Sequence, residues 1–155
     1  DALRSIGANI VFHKVAMRPG KPILFAILPN GTLYFGLPGN PISSAVGFRF
    51  FVQLAIQTMQ GNASESPMHI PLAHSVVKKS GFTLLQKAKL TADASGQLKV
   101  SLLKGQESFR IQPLLHSNAW ALLPEDADSL AENTLVELYG LHGMGVTISA
   151  STDES

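Results

Sequence analysis

Apolar positions follow two different rhythms along this chain. Up to residue 61 they come as short runs bounded by Gly and Pro, followed by one long helical face. Ala2-Leu3-Arg4-Ser5-Ile6 reads as the last turns of a helix stopped by Gly7. Asn9 to Val15 and Ile23 to Leu28 are strand patterns, and Pro29-Asn30-Gly31 is a hairpin turn that returns the chain as the strand Leu33 to Leu37. Pro38-Gly39-Asn40-Pro41 then turns into a helix predicted from Pro41 to about Gln60. Asn40 suits its N-cap, Pro41 its first turn and Gly61 its C-terminal cap. Val46, Phe48, Phe50, Phe51, Val52, Leu54, Ala55 and Met59 make most of that helix apolar; Arg49, Gln53, Gln57 and Gln60 form one narrow polar stripe. So apolar a helix cannot lie half exposed, and we expect further chain or a partner subunit to cover it.

Residues 62–67 (Asn-Ala-Ser-Glu-Ser-Pro) are a polar linker and a plausible boundary. Beyond it the pattern predicts strands at 68–78, 82–92, 97–103, 109–115, 119–123 and 134–139, separated by turn signals such as Ser80-Gly81 and Asp93-Ala94-Ser95-Gly96. Short strands at this spacing predict a small antiparallel barrel or sandwich. The division is therefore an α/β part over 1–61, an all-β barrel-like domain over 62–139 and a flexible tail over 140–155. Because a helix cut off at residue 1 has no cap, we expect residue 1 to be an interior point of a longer protein.

Composition narrows the function classes. The 155 residues are 45% apolar and 15% charged, enough for a packed core and unlike a disordered chain. A net charge of +1 implies no broad nucleic-acid or membrane patch. With no cysteine, disulfides and thiolate chemistry are absent, which fits a cytoplasmic location. No apolar run reaches the ~18 residues of a membrane span, and no signal peptide is visible.

Two places carry candidate chemistry. Pro19-Gly20 turns the chain between Arg18 and Lys21, with Lys14 within reach, and three cations on one loop suit an oxyanion; the alternative is a solvated basic turn. At the start of the long helix, the amides of Ile42, Ser43 and Ser44 and the two serine hydroxyls are predicted to face an anion; the alternative is an ordinary strand-to-helix turn. No Lys follows the glycines as a phosphate loop requires, and no GxSxG or GxGxxG occurs. The histidines are scattered without metal-ligand spacing, and Glu125, Asp126 and Asp128 read as a solvated acidic turn.

Lys14-Val15-Ala16-Met17-Arg18-Pro19-Gly20-Lys21-Pro22, followed by Phe35-Gly36-Leu37-Pro38-Gly39-Asn40-Pro41-Ile42-Ser43, closely resembles the molybdopterin molybdenumtransferases of the MoeA and gephyrin E-domain type. Gln106, Ser108 and Asn118 extend the likeness into the second half, to about residue 139. The resemblance implies that residues 1–61 are the C-terminal part of a three-layer molybdopterin-binding α/β domain and 62–139 a C-terminal β-barrel domain. It implies insertion of molybdate into adenylylated molybdopterin with release of AMP, use of Mg²⁺ whose ligands lie upstream of residue 1, and a homodimeric full-length protein. By the same resemblance Lys14, Arg18 and Lys21 are its basic catalytic positions. Pro38, Pro41, Ser43, Lys87 and Ser108 match its molybdate- or cofactor-binding positions, and the helix-start reading adds Gly39, Asn40 and Ser44 to them.

Three residues depart from the family pattern. Arg18 stands for a Lys, Lys87 for an Arg, and Glu107 beside Ser108 for a small residue, where a carboxylate repels an oxyanion. Without the upstream part, the 155-residue chain is expected to be inactive alone. Two other functions stay open: a gephyrin-like peptide-binding scaffold without enzymatic activity, and an unrelated phosphate-binding α/β enzyme.

Overall fold

The computed structural model describes residues 2–103, 116–143 and 148–150. The expected strand over 109–115 lies outside them, as do Gln106, Glu107 and Ser108.

A short helix α1 (Ala2–Ser5) ends in a full C-terminal cap: Gly7 N donates to Arg4 O at 3.0 Å and Ala8 N to Leu3 O at 3.0 Å, with Gly7 at φ 78°. Strands β1 (Asn9–His13), β3 (Leu24–Ile27) and β4 (Leu33–Gly36) form a three-stranded antiparallel sheet in the order β1-β3-β4. The Asn-Gly turn sits where the pattern predicts it, closed by Leu28 N donating to Thr32 O at 2.9 Å. Between β1 and β3 lies a two-residue strand, β2 (Met17–Arg18), which leaves this sheet altogether.

The predicted long helix exists but is not uniform. It runs as α2 (Pro41–Gly47), a π-helical turn (Phe48–Val52) and α3 (Gln53–Met59). The π turn closes with Gln53 N on Phe48 O. Its wider winding shifts the register of every later side chain. The polar stripe faces inward rather than to solvent: Arg49 is 6% exposed and lies with Gln57 against Gly143, whereas Phe48, Leu54, Ile56 and Met59 are exposed. Gly61 caps the end as expected, with Gly61 N on Thr58 O and Asn62 N on Gln57 O.

The second half is built on β5 (Met68–Pro71), β7 (Thr83–Ala92), β8 (Leu98–Leu102), β9 (Ala119–Leu123) and β11 (Leu135–Gly140). Antiparallel pairing runs β8-β7-β9-β11-β5. A bridge between Leu72 and Val100, with Ala73 N donating to Val100 O at 2.8 Å, brings the two ends of that order together. The result is barrel-like, with Leu72, Ala88, Leu90, Val100, Ala119, Ala121, Leu123 and Leu138 buried inside. The expected strand over 68–78 is split: β5 ends at Pro71, and β6 (Val76–Val77) instead pairs with β10 (Ser129–Leu130) as a small separate ribbon. Asn118 lengthens the β7 ladder with its side chain, accepting from Leu90 N and donating to Leu90 O.

The expected flexible tail departs from the prediction at two points. Gly140 completes β11, and β12 (Ser149–Ala150) pairs in parallel with the far end of β7.

The two halves share a core. Met17, Ile42 and Val46 from the first half are buried with Leu85 and Trp120 from the second, and Phe50, Leu122, Tyr139 and Leu141 pack against them. The backbone is continuous across the junction too: β2 pairs in parallel with the start of β7, Met17 opposite Thr83 and Arg18 opposite Leu84.

Candidate functional site

The basic loop is shaped by its backbone. Lys14 N donates to Ile23 O and Val15 N to Lys21 O, both at 2.9 Å, which pinches the neck of the loop and sets Lys14 beside Lys21. Lys14 adopts φ 69°, an uncommon left-handed conformation for a residue with a side chain. Gly20 adopts φ 109° over the buried Met17 side chain, where a Cβ would meet Met17 Cε at 2.8 Å. The loop can therefore lie flat against the core while Lys14, Arg18 and Lys21 stay exposed.

These three cations line one cavity of about 340 Å³, completed by Val15, Ala16 and Met17 and by Gly81 and Phe82 from the second half. The Arg18 guanidinium lies over the Phe82 ring, 4.3 Å from its centre, and Lys78 Nζ stands 5.3 Å from the same centre. Lys78 Nζ also donates to Phe82 O at 3.1 Å and Lys79 O at 3.2 Å. Phe82 and Lys78 were not legible as site residues. The only local signal is that Gly81-Phe82 opens the strand that receives Arg18.

The helix start is built differently from the expectation. Asn40 Oδ1 accepts from Ile42 N at 3.1 Å and from Ser43 N at 3.3 Å, and Ser44 N donates to Asn40 O at 2.8 Å. The Ser44 hydroxyl donates to Pro38 O. The amides expected to face an anion are thus occupied by the N-cap, because a good cap and a free anion site compete for the same N–H groups. Ser43 is buried at 9% exposure. The described lining of the basic cavity does not include Pro38, Gly39, Asn40, Pro41, Ser43 or Ser44. It does not include Lys87 either. Lys87 is fully buried on β7, opposite Trp120, and burial pulls its amine below the ordinary lysine range.

A second polar centre lies across the junction. Arg49 pairs with Glu65 of the linker, and its Nε donates to Gly140 O at 2.9 Å; Glu65 Oε1 accepts from Gly140 N at 3.4 Å. Nearby, Tyr139 donates its hydroxyl to Glu137 at 2.9 Å. Burial and that carboxylate push its pKa up to about 12. Among the described residues, no group of three His, Cys, Asp or Glu is placed to hold a metal ion. Nor is any helix among them long and apolar enough to cross a membrane.

Fold and cavity define an α/β unit docked on a barrel-like sheet, with a cavity lined by three cations where the two meet. Residues 1–58 match the family model described as "Probable molybdopterin binding domain", and residues 69–141 the one described as "MoeA C-terminal region (domain IV)". The chain is 40% identical over 141 residues to the molybdopterin molybdenumtransferase of Synechococcus elongatus, covering 90% of this chain and 34% of that protein. It is 33% identical over 127 residues to the Staphylococcus aureus protein of the same name, covering 80% and 30%. Among solved structures, a molybdenum cofactor biosynthesis protein from Pyrococcus furiosus matches with a TM-score of 0.68 at 25% identity, over 84% of this chain and 45% of that one. A MoeA molybdopterin biosynthesis protein from Pyrococcus horikoshii matches with the same TM-score and identity, over 91% and 34%. The chain belongs to the MoeA family. It spans about a third of the length of the curated relatives it matches.

Proposed function

We propose that this chain supplies the oxyanion-binding side of a molybdopterin molybdenumtransferase, which inserts molybdate into adenylylated molybdopterin and releases AMP. The observation that carries the reading is the convergence of Lys14, Arg18 and Lys21 on one cavity at the junction of the two halves. Molybdate is a tetrahedral dianion, and fixed cations hold such an ion without a proton or a metal. The same charges offset negative charge that develops as the pyrophosphate link to AMP opens. Arg18 offers a planar fork of donors and the lysines point charges.

The family likeness adds Pro38, Pro41 and Ser43, with Lys87 and Ser108 from the second half, as molybdate or cofactor contacts. Gly39, Asn40 and Ser44 then have the role of holding the turn between them, supported by the Asn40 cap and the Ser44 to Pro38 bond. Among the described residues no group of three His, Cys, Asp or Glu is placed to hold Mg²⁺. In the full-length protein, a homodimer is supported by the exposed Phe48, Leu54, Ile56 and Met59 along one helix. A cytoplasmic setting is supported by the absence of cysteine.

The test is a calorimetric titration of the full chain with molybdate, with sulfate and AMP as comparisons, repeated on Arg18→Ala and Ser43→Ala. Molybdate binding that exceeds sulfate binding and weakens in both variants is expected. A preference for AMP would favour a nucleotide-binding enzyme instead.

A further inference from the structure

We propose that Phe82 is a positioning residue for Arg18: its ring holds the guanidinium at the basic cavity and makes arginine, rather than lysine, the effective cation at position 18. The inference rests on the oxyanion reading of that cavity and deepens it.

Arg18 and Phe82 both line the cavity that Lys14 and Lys21 share. Arg18 is exposed, and it belongs to neither described ion pair, Arg49–Glu65 or Lys99–Glu132. A long exposed cationic side chain samples many rotamers and loses that freedom when it binds an anion. Here the guanidinium carbon lies over the Phe82 ring, 4.3 Å from its centre, where the negative ring face attracts the cation. Backbone pairing brings the two residues together. β2 lies in parallel beside the start of β7, with Met17 opposite Thr83 and Arg18 opposite Leu84, and Thr83 N donates to Ala16 O at 2.8 Å. The segment that carries the ring is anchored on its other side: Gly81 N donates to Glu125 O at 2.9 Å, and Lys78 Nζ donates to Phe82 O at 3.1 Å. The ring is therefore the fixed partner, and the arginine is the one whose movement it limits.

A guanidinium spreads its charge over three nitrogens with five N–H donors, so a ring against its central carbon still leaves donors for an oxyanion. An ammonium is a point charge, and one drawn to the same ring is drawn off an anion beside it. Phe82 thus favours arginine at position 18. Because Phe82 belongs to the second half, docking of the halves sets how well a cation of the first half binds.

The proposal is tested by titrating the full chain with molybdate and, separately, with sulfate, for the natural protein, Phe82→Leu, Phe82→Tyr, Arg18→Lys and the double variant Arg18→Lys, Phe82→Leu. Thermal melting of each variant controls for folding. A second readout needs no ligand: the Arg18 Nε–H proton resonance, assigned by its loss in Arg18→Lys, which a ring beneath the guanidinium shifts upfield. Phe82→Leu is expected to weaken anion binding about three- to fivefold, the scale of an exposed cation–π contact, and to move that resonance downfield. Phe82→Tyr is expected to keep both, since it keeps a ring. Arg18→Lys is expected to weaken binding about tenfold in the natural background but less than about threefold in the Phe82→Leu background. Unchanged affinity in Phe82→Leu, an equal loss in Phe82→Tyr, or losses from Arg18→Lys and Phe82→Leu that simply add would each overturn the positioning role while the oxyanion reading stands. An unshifted Arg18 resonance in the natural protein overturns the contact itself. If the natural protein binds neither anion although the resonance is shifted, the oxyanion reading fails and the positioning role falls with it.

Discussion

At the scale of single residues, Gly20 shows how backbone freedom creates the site. Its φ of 109° lies in a region that side chains avoid, and a Cβ there would stand 2.8 Å from Met17 Cε. Gly31, at φ 84° in the hairpin turn, has the same kind of backbone and nothing within 4 Å. Gly31→Ala should therefore carry only the conformational cost, about 1–2 kcal/mol. Gly20→Ala should carry that cost plus the displacement of a buried methionine, about 2–5 kcal/mol in total, and should also disturb the cavity that Lys14, Arg18 and Lys21 share. Urea unfolding of both variants checks the order. Equal losses would mean that Met17 moves aside freely. The Asn40 cap makes a related point. The sequence correctly places a capping residue at position 40, and its one side chain accepts from both Ile42 N and Ser43 N, which leaves the Ser43 hydroxyl rather than those amides to meet an anion.

At the scale of elements, most strands, both glycine caps and the Asn-Gly hairpin are legible because each is specified by a local pattern. The π turn at Phe48–Val52 is not legible, since no local residue type announces it, and neither is the burial of Arg49 beside an exposed Phe48. What holds Arg49 inside is far away in sequence: Glu65 of the linker, which also accepts from Gly140 N, and the carbonyl of Gly140. A linker read as polar and featureless thus supplies a counter-ion, and periodicity carries no information about such a pairing. Removing one partner of a largely buried pair strands the other charge. Glu65→Ala should cost about 3 kcal/mol, the low end for buried pairs because Glu65 keeps 18% exposure. The double variant Arg49→Met, Glu65→Leu should recover much of that loss, because it leaves no uncompensated charge. A double-mutant cycle by urea unfolding measures the coupling. Losses that simply add would show that Arg49 is held by Gly140 alone.

At the scale of the whole molecule, the linker at 62–67 reads as a division, yet the contacts across it bind the halves together. β2 crosses to the sheet of the second half, where Met17 and Arg18 pair with Thr83 and Leu84. The shared cluster is centred on Trp120, 2% exposed, whose ring meets Phe50 edge-on at 6.4 Å, while Phe50 meets Tyr139 at 5.5 Å. Arg49 adds its bond to Gly140 O. A two-residue strand has no pattern long enough to be read from sequence, which is why the docking of the basic loop on the second half was not legible while the loop itself was. Because this junction carries a strand pairing, an apolar cluster and an ion pair at once, neither half can unfold without exposing the core of the other. Trp120 is the single tryptophan of the chain and sits on that junction, so its fluorescence reports on docking, while far-UV circular dichroism reports on both sheets. The two signals are expected to change at the same urea concentration and with the same slope. A fluorescence change that precedes loss of the sheets would mean that the halves separate while still folded. The basic cavity would then open before either half unfolds, because Phe82 would leave Arg18 at that step.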